Sequence, residues 1–488
     1  MSISRHTSYN LLGALLPLGI ALVTVPLYLD VVGPERYGLL SICWLLLGYF
    51  GLFDFGISRA VSQKIASLRE QGDGARSETF WTGLALTLAL AAIAIPLSFP
   101  LAELALTFID IPAGPLGGEV GRAVPWLAAV LPVALVGALL NGVLTGRERF
   151  GALNLIEGAA NVLLSVVPLS LAWIFGPELW LLLAGSLAAR LFSLTLLGAV
   201  CARAVPVGRP RFRRDLVRQL AGYGGWVSVS SLVGPLLAMW DRFAIGAVLG
   251  PKAISVYVIP FSVAIRLIMA PAALTNALFP RFAVASKEDL ERLCLTALTA
   301  VSVVMTPAVL VSILCSGPFF SLWLGREFGA PAADIAYILL PGIWANGLGL
   351  VALSILQGQG KPKFVALAHL AETLPYAGLL YLGLTYFGLA GAALAWSVRV
   401  AADALILIRL ARAPMARLAP LLLPAGLVAA AAAAAFLLPL DSIARWVVLV
   451  LLLAAGTFDS WRRRPEALDQ FVRGAAARLS RTASPARR

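Results

Sequence analysis

The chain has 488 residues, 60% of them hydrophobic and 13% charged, with a mean hydropathy of +0.89. Soluble domains run nearer half apolar and a quarter charged, so these figures exclude the several soluble domains that length alone would suggest and imply one large bundle of membrane helices. The formal net charge of +13 fits Lys and Arg gathered in cytoplasmic loops, and no nucleic-acid partner is expected from it.

Apolar stretches of about 20 residues, each long enough to cross a bilayer, recur along the chain. They fall at 9–32, 38–63, 80–102, 123–145, 151–175, 178–201, 219–249, 254–280, 293–324, 335–357, 364–386, 388–408, 418–440 and 443–460, which is fourteen spans. The first is too long for the core of a signal peptide and no small-residue cleavage site follows it, so a retained helix is expected. Breakers such as Gly33-Pro34, Gly176-Pro177, Gly250-Pro251 and Gly325 stand at the joins. With the N-terminus inside, the segments 1–8, 64–79, 146–150, 202–218, 281–292, 358–363, 409–417 and 461–488 hold 28 of the 38 Lys and Arg. The outer loops hold five: Arg36, Arg122, Lys252, Arg326 and Arg445. That bias predicts cytoplasmic N- and C-termini. The outer loops are short, the longest lying near Ile109 to Gly121, with no room for a folded outer domain. Cys43, Cys201, Cys294 and Cys315 are far apart in apolar context and read as packing residues. Neither they nor His6 and His369 show metal-ligand spacing, so no metal and no cofactor is expected.

The two halves align. A shift of 217 residues puts the stretch from Tyr9 over the stretch from Trp226, Gly33-Pro34 over Gly250-Pro251, and ISRAVSQK (Ile57 to Lys64) over LTNALFPR (Leu274 to Arg281). GRERF at Gly146 and GKPKF at Gly360 lie 214 apart, each opening the fifth helix of its half. Glu157 and Glu372, then Arg190 and Arg399, occupy similar places in the fifth and sixth helices. Six spans per half is an even number, so the halves share one orientation, with a pseudo-two-fold along the membrane normal. Such parallel repeats are a transporter architecture. The expected fold class is an all-α integral membrane protein. It divides into an N-terminal six-helix lobe at 1–204, a basic cytoplasmic linker at 205–218, a C-terminal six-helix lobe at 219–415, two added helices at 416–460 and a basic cytoplasmic tail at 461–488.

The stretches SYNLLGALLPLGIALVTVPLYLDVVGPERYGLL, LFDFGISRAVSQKIA and YGGWVSVSSLVGPLLAMWDRFAIGAVLGPKAISVY, with the GKPKF turn, resemble the polysaccharide (oligosaccharide) flippases of the multidrug/oligosaccharidyl-lipid/polysaccharide exporter superfamily. The resemblance covers essentially the whole chain and lies in the order and spacing of degenerate motifs. It implies a non-enzymatic transporter of the bacterial inner membrane. Two lobes around a central cavity would move a polyprenyl-pyrophosphate-linked oligosaccharide from the cytoplasmic to the outer leaflet, for cell-surface polysaccharide (lipopolysaccharide or exopolysaccharide) biosynthesis. The implied partners are the lipid-linked oligosaccharide, the bilayer, and the polymerase and glycosyltransferases of the pathway. The last two helices would either form a lipid-tail groove or serve without one. A cation-coupled drug or metabolite exporter of the same superfamily is the alternative, and a glycan polymerase or ligase a further one. The short outer loops speak against the polymerase or ligase.

Ten Asp, Glu and Arg residues lie four or more residues inside the spans: Asp54, Arg59, Glu157, Arg190, Asp241, Arg242, Arg266, Glu372, Arg399 and Asp403. Each costs at least ~2.5 kcal/mol at the bilayer centre, so each should be paired, snorkel to an interface or face a wet cavity. A lipid pyrophosphate needs guanidinium groups to replace its water. The resemblance puts the lobe interface on helices 1, 2, 7 and 8, which selects Arg59, Arg242 and Arg266 as cavity contacts for pyrophosphate. Arg266 is fifteen residues before Arg281, about 22 Å along a helix, too deep to snorkel, whereas Arg59 is about 7 Å from Lys64. Asp54 and Arg59, five apart on one helix, would point away from each other. Asp241 is adjacent to Arg242, and neighbours in a helix do not face each other. Glu157 and Glu372 are expected to hold Arg190 and Arg399 as structural charge, with Asp403 pairing Arg399 at i,i+4. Asp54, Asp241, Glu157, Glu372, His369 and Asn276, which falls under Arg59 in the repeat, are candidates for the cavity or for a coupling proton or sodium ion.

Overall fold

The computed structural model describes residues 19–49, 54, 56–68, 73–107, 111, 115–205, 210–412 and 415–464. The start of the first expected span, 9–18, residues 50–53 and 55 of the second, and 465–488 of the expected tail lie outside the described residues. Among those described, every apolar stretch is helical and no strand occurs. The helices are α1 (Gly19–Val31), α2 (Pro34–Tyr49), α3 (Ile57–Ser67), α4 (Asp73–Thr107), α5 (Pro115–Gly146), α6 (Phe150–Phe175), α7 (Leu179–Ala204), α8 (Arg214–Ala264), α9 (Met269–Val284), α10 (Lys287–Gly358), α11 (Pro362–Leu410), α12 (Leu422–Leu437) and α13 (Ile443–Arg463). Short 3-10 helices cover Ile265–Ile268 and Met415–Leu421.

Among the described residues thirteen helices carry the fourteen spans: α8, α10 and α11 are each broken into two arms, while α2 and α3 share one span and the second arm of α8 shares another with α9. At 72 residues, α10 would be roughly 108 Å long if straight, more than three times a bilayer core. It turns at Gly325, as α8 turns at Gly250 and α11 at Gly388. The second span is itself split into α2 and α3. The third and fourth helices start earlier than expected, at Asp73 and Pro115, so the loop near 109–121 is shorter than the sequence suggests. The exterior is apolar: Leu322, Leu374 and Trp173 are more than 80% exposed. Such side chains on a long apolar helix belong in lipid. The fold is thus all-α and membrane-spanning, with about fourteen crossings.

Two compact units result, residues 1–255 and 256–488. In the first, Val61, Ile65, Leu139, Leu144, Leu197 and Cys201 from α3, α5 and α7 form a core. The α3–α5 crossing is close, because a Cβ on Gly142 or Gly146 would run into the backbone carbonyl of Ser58 or Ser62. In the second, the two arms of α11 cross at Gly383 and Gly391, where each glycine faces the other's carbonyl. The last pair of helices packs on α10, and buried Arg445 of α13 donates to the Tyr337 hydroxyl (2.5 Å) and the Leu438 carbonyl (2.9 Å).

Packing and repeat divide the chain at different places. The seventh span clusters with the first unit because the two equivalent Gly-Pro corners abut. Gly33 and Gly250 both take positive φ (86° and 78°), a conformation open to glycine at no steric cost. After the turns, the Ser255 hydroxyl donates to the Pro34 carbonyl, and Gly38 sits against the Pro251 carbonyl. Residues 34 and 38 correspond to 251 and 255 under the 217-residue shift. Each corner therefore touches the other through the same two positions, as elements related by a local two-fold do.

Candidate functional site

Asp54 is buried and caps α3. Its carboxylate accepts from the backbone N–H of Gly56 (2.7 Å) and of Ser58 (2.9 Å). Gly56, at φ 70° and ψ 13°, turns the chain into the helix. A continuous second helix, and the angular separation of Asp54 and Arg59 drawn from it, are therefore corrected. Asp54 precedes α3, and its charge meets the unsatisfied N–H groups of the first turn. Arg59 stands exposed on α3 within its unit, one turn after the cap. Lys64, at the other end of α3, reaches Gln219 of α8 at 3.4 Å.

Asp241 and Arg242 are both buried and bonded. Arg242 Nη1 lies 2.9 Å from Asp241 Oδ1, which also accepts from the Arg242 backbone N–H at 2.8 Å. The expectation that neighbours do not meet fails because the long guanidinium arm folds back to a carboxylate that is itself wholly buried. Two adjacent buried charges thereby cancel locally.

Arg266 sits on the 3-10 turn Ile265–Ile268, between α8 and α9. It is half-buried, and its guanidinium makes no hydrogen bond or ion pair with the described residues. Asn276 is exposed on α9, a helix further along. A 3-10 turn inside a span tightens the backbone and re-aims the side chains around it. Its place under the repeat, 265–268 over 48–51, is next to the break between α2 and α3.

The fifth- and sixth-helix charges form a different constellation in each half. In the second unit, Arg399 Nε meets Glu372 Oε2 at 3.2 Å and lies 5.6 Å from the centre of the Tyr376 ring. His369 Nε2 meets Asp403 Oδ1 at 3.4 Å. The four ionisable groups lie on the two arms of α11. The i,i+4 pair of Arg399 with Asp403 does not form, because Arg399 turns to Glu372 and Asp403 to His369. In the first unit the expected Glu157–Arg190 pair is not closed. Glu157 is exposed and accepts from Asn141 Nδ2 of α5 at 3.0 Å. Arg190 keeps Glu157 within electrostatic range, yet its Nε is buried without a hydrogen bond.

Sequence reasoning missed Asn141, Tyr376 and the ion pair of Arg36 with Glu119. That pair is bidentate at 2.8 and 2.6 Å, and Glu119 also accepts from the N–H of Leu179, tying α2, α5 and α7 together at one end of the first unit. A polar residue inside an apolar run was the available signal for Asn141. Glu119 had been placed in a loop.

Residues 3–286 match the family described as polysaccharide biosynthesis protein, and residues 227–382 match the MatE family. The chain is 28% identical over 408 residues to a Shigella flexneri protein whose name assigns it, provisionally, to O-antigen transport; the match covers 83% of this chain and 97% of that one. Among solved structures, the lipid II flippase MurJ in an inward closed conformation superposes with a TM-score of 0.73 at 12% identity, covering 93% of this chain and 98% of that one. An inward-facing multidrug resistance transporter of the MATE family gives 0.66 at 17%, covering 83% and 98%. At these identities the structural likeness shows the fold. The first family match spans more than half of the chain, and with the membrane fold and the relatives it makes the chain a transporter, not an enzyme, belonging to the polysaccharide biosynthesis (flippase) family of the multidrug/oligosaccharidyl-lipid/polysaccharide exporter superfamily.

Proposed function

We propose that this chain flips a polyprenyl-pyrophosphate-linked oligosaccharide from the cytoplasmic to the outer leaflet of a bacterial inner membrane by alternating access. Its termini would be cytoplasmic, as the Lys and Arg bias supports. The observation that carries the reading is Arg266, a guanidinium within a membrane span with no counterion among the described residues. An unpaired cation there is costly unless it meets water or an anion. A pyrophosphate supplies that anion, and the planar fork of arginine matches its oxygens. Arg59, exposed on α3, is assigned a phosphate contact nearer the cytoplasmic end of its own unit. Arg242 is assigned to packing, since Asp241 already balances its charge. The names of the relatives support the substrate class, and the match to a protein named for O-antigen transport favours a lipid-linked glycan over a drug.

The test is translocation of a fluorescent polyprenyl-pyrophosphate oligosaccharide in proteoliposomes. Arg266→Ala is expected to slow flipping by about tenfold or more, the loss of a bidentate charged contact, and Arg266→Lys to restore part of it. A wild-type rate in Arg266→Ala with a native melting transition would overturn the assignment of Arg266.

A second feature of the reading concerns its drive. His369, Asp403, Glu372 and Arg399 gather four ionisable groups on one bent helix, Glu372 and Asp403 buried and the other two half-buried, which favours a coupling proton held in the second unit. Flipping driven by an imposed pH gradient should then lose its dependence on the gradient in Asp403→Asn. Unchanged gradient dependence would remove this cluster from the coupling step.

A further inference from the structure

We propose that Arg190, expected from the sequence to be structural, is a phosphate contact for the transported lipid inside the first unit, a role that rests on the flippase reading for the identity of the ligand.

Arg190 stands on the inward stripe of α7. Ser186, Ser193 and Leu197, at the i−4, i+3 and i+7 positions that share its face, are all buried. The opposite stripe, Ala188, Phe192, Thr195 and Ala199, is exposed and belongs in lipid. Arg190 is half-buried, its Nε is buried without a hydrogen bond, and its guanidinium closes no ion pair with the described residues. Glu157 on α6 is within electrostatic range but stops short of contact. The span residues 9–18, 50–53, 55 and 221–238 hold no Asp or Glu. Glu103 and Asp110 come at the end of α4 or after it, while α7 packs against α2, α5 and α6. Arg190 also lies eleven residues inside α7, about 16 Å from its start.

Its depth matches a break in the neighbouring helix. The starts of α2 and α7 lie side by side, since Glu119 accepts from both the Arg36 guanidinium and the Leu179 N–H. Further along both helices, Trp44 of α2 donates to the Ser186 hydroxyl at 3.1 Å. Arg190 comes one turn after Ser186, and α2 ends at Tyr49, five residues after Trp44. The guanidinium is thus carried at the level where the second span is interrupted. In the second unit Arg266 sits on the 3-10 turn that matches 48–51 under the repeat. Each unit therefore sets one arginine, without a bonded acid among the described residues, at the break of the same repeated helix. Interrupted helices are where transporters hold substrate. A guanidinium inside a span is costly until it meets water or an anion, and a phosphate offers oxygens matched to its planar fork.

The experiment is melting of the full-length chain in detergent, titrated with polyprenyl pyrophosphate, phosphatidylglycerol or inorganic pyrophosphate. Polyprenyl pyrophosphate should raise the wild-type melting temperature. Arg190→Gln should need about tenfold more of it for the same rise, the loss of one charged bidentate contact. Ligand-free melting should not fall, because the guanidinium has no bonded partner to lose. Wild-type affinity in Arg190→Gln would overturn the site. An equal response to phosphatidylglycerol, or full competition by millimolar inorganic pyrophosphate, would overturn the transported lipid as its ligand. If the glutamine variant melted lower or lost its transition, Arg190→Lys would decide, because it keeps the charge and removes the fork. A severalfold weakening is expected there, and wild-type affinity would overturn the proposal. Flipping in proteoliposomes separates the two failures. A wild-type chain that moved no lipid-linked oligosaccharide would take the flippase reading and this ligand down together. Active wild type with an equal rate in Arg190→Gln would remove Arg190 alone.

Discussion

The two halves of this chain place Glu and Arg at matching positions of their fifth and sixth helices, yet use them differently. In the second half Glu372 and Arg399 close an ion pair, and His369 and Asp403 close another contact beside it. In the first half Glu157 is exposed and held by Asn141, while the half-buried Arg190 has no carboxylate within ion-pair distance among the described residues. What differs is the neighbour of the acid: Asn141 donates to one oxygen of Glu157, whereas beside Glu372 the ring face of Tyr376 supports the arginine. A duplicated framework thus fixes where charge enters the membrane and leaves the partner of that charge to a few side chains around it.

The largest expected effect follows from the closed pair. Glu372→Gln leaves Arg399 buried without its counterion, and breaking one partner of a buried pair costs about 3–5 kcal/mol. Glu157→Gln should change stability by only about 0.5 kcal/mol, because the residue is exposed and the amide can keep the contact with Asn141. Melting of both variants in one detergent measures the difference. Equal losses would mean that the two halves are energetically alike despite their geometry.

A double-mutant cycle sharpens the same contrast. Glu372→Gln with Arg399→Met should show a coupling of about 1–3 kcal/mol, as residues in direct contact do. The corresponding cycle with Glu157→Gln and Arg190→Met should give less than about 0.5 kcal/mol. Coupling of similar size in both cycles would place Arg190 on Glu157 in solution.

Much of the fold was legible because its signals are coarse. Twenty apolar residues can do little but cross a membrane, and Gly33-Pro34, Gly250-Pro251 and Gly325 announce their turns. The repeat was legible too, and the reciprocal contact of 34 and 38 with 251 and 255 is its physical counterpart. The side-chain partners were not. Asp241 and Arg242 were read as neighbours that point apart, a rule for short, rod-like contacts that a flexible arginine escapes. Arg190 was paired by analogy with Arg399, and nothing in a linear string shows that Asn141 donates to Glu157. Asp54 was read as a charge inside a helix because the run around it is apolar, and an interruption capped by the aspartate itself carries no hydropathy signal. For Arg266 the distance from Arg281 was readable along the chain, while the 3-10 turn that carries it emerged only with the backbone.

The smallest expected effect concerns that interruption. The halves differ here as well: the second helix of the first half breaks at an acid-capped turn, whereas that of the second half keeps its continuity through the 3-10 turn at Ile265–Ile268. Asp54 satisfies two backbone N–H groups that a continuous helix would have satisfied itself. Removing an N-cap carboxylate costs about 0.5–2 kcal/mol. Asp54→Asn, which keeps an acceptor oxygen, should therefore lose little, and Asp54→Ala about 1 kcal/mol, read by melting and by faster hydrogen exchange confined to the first turn of α3. If Asp54→Asn instead abolished transport while melting normally, the carboxylate would be needed for its charge, and Asp54 would return to the list of residues that meet substrate or ion.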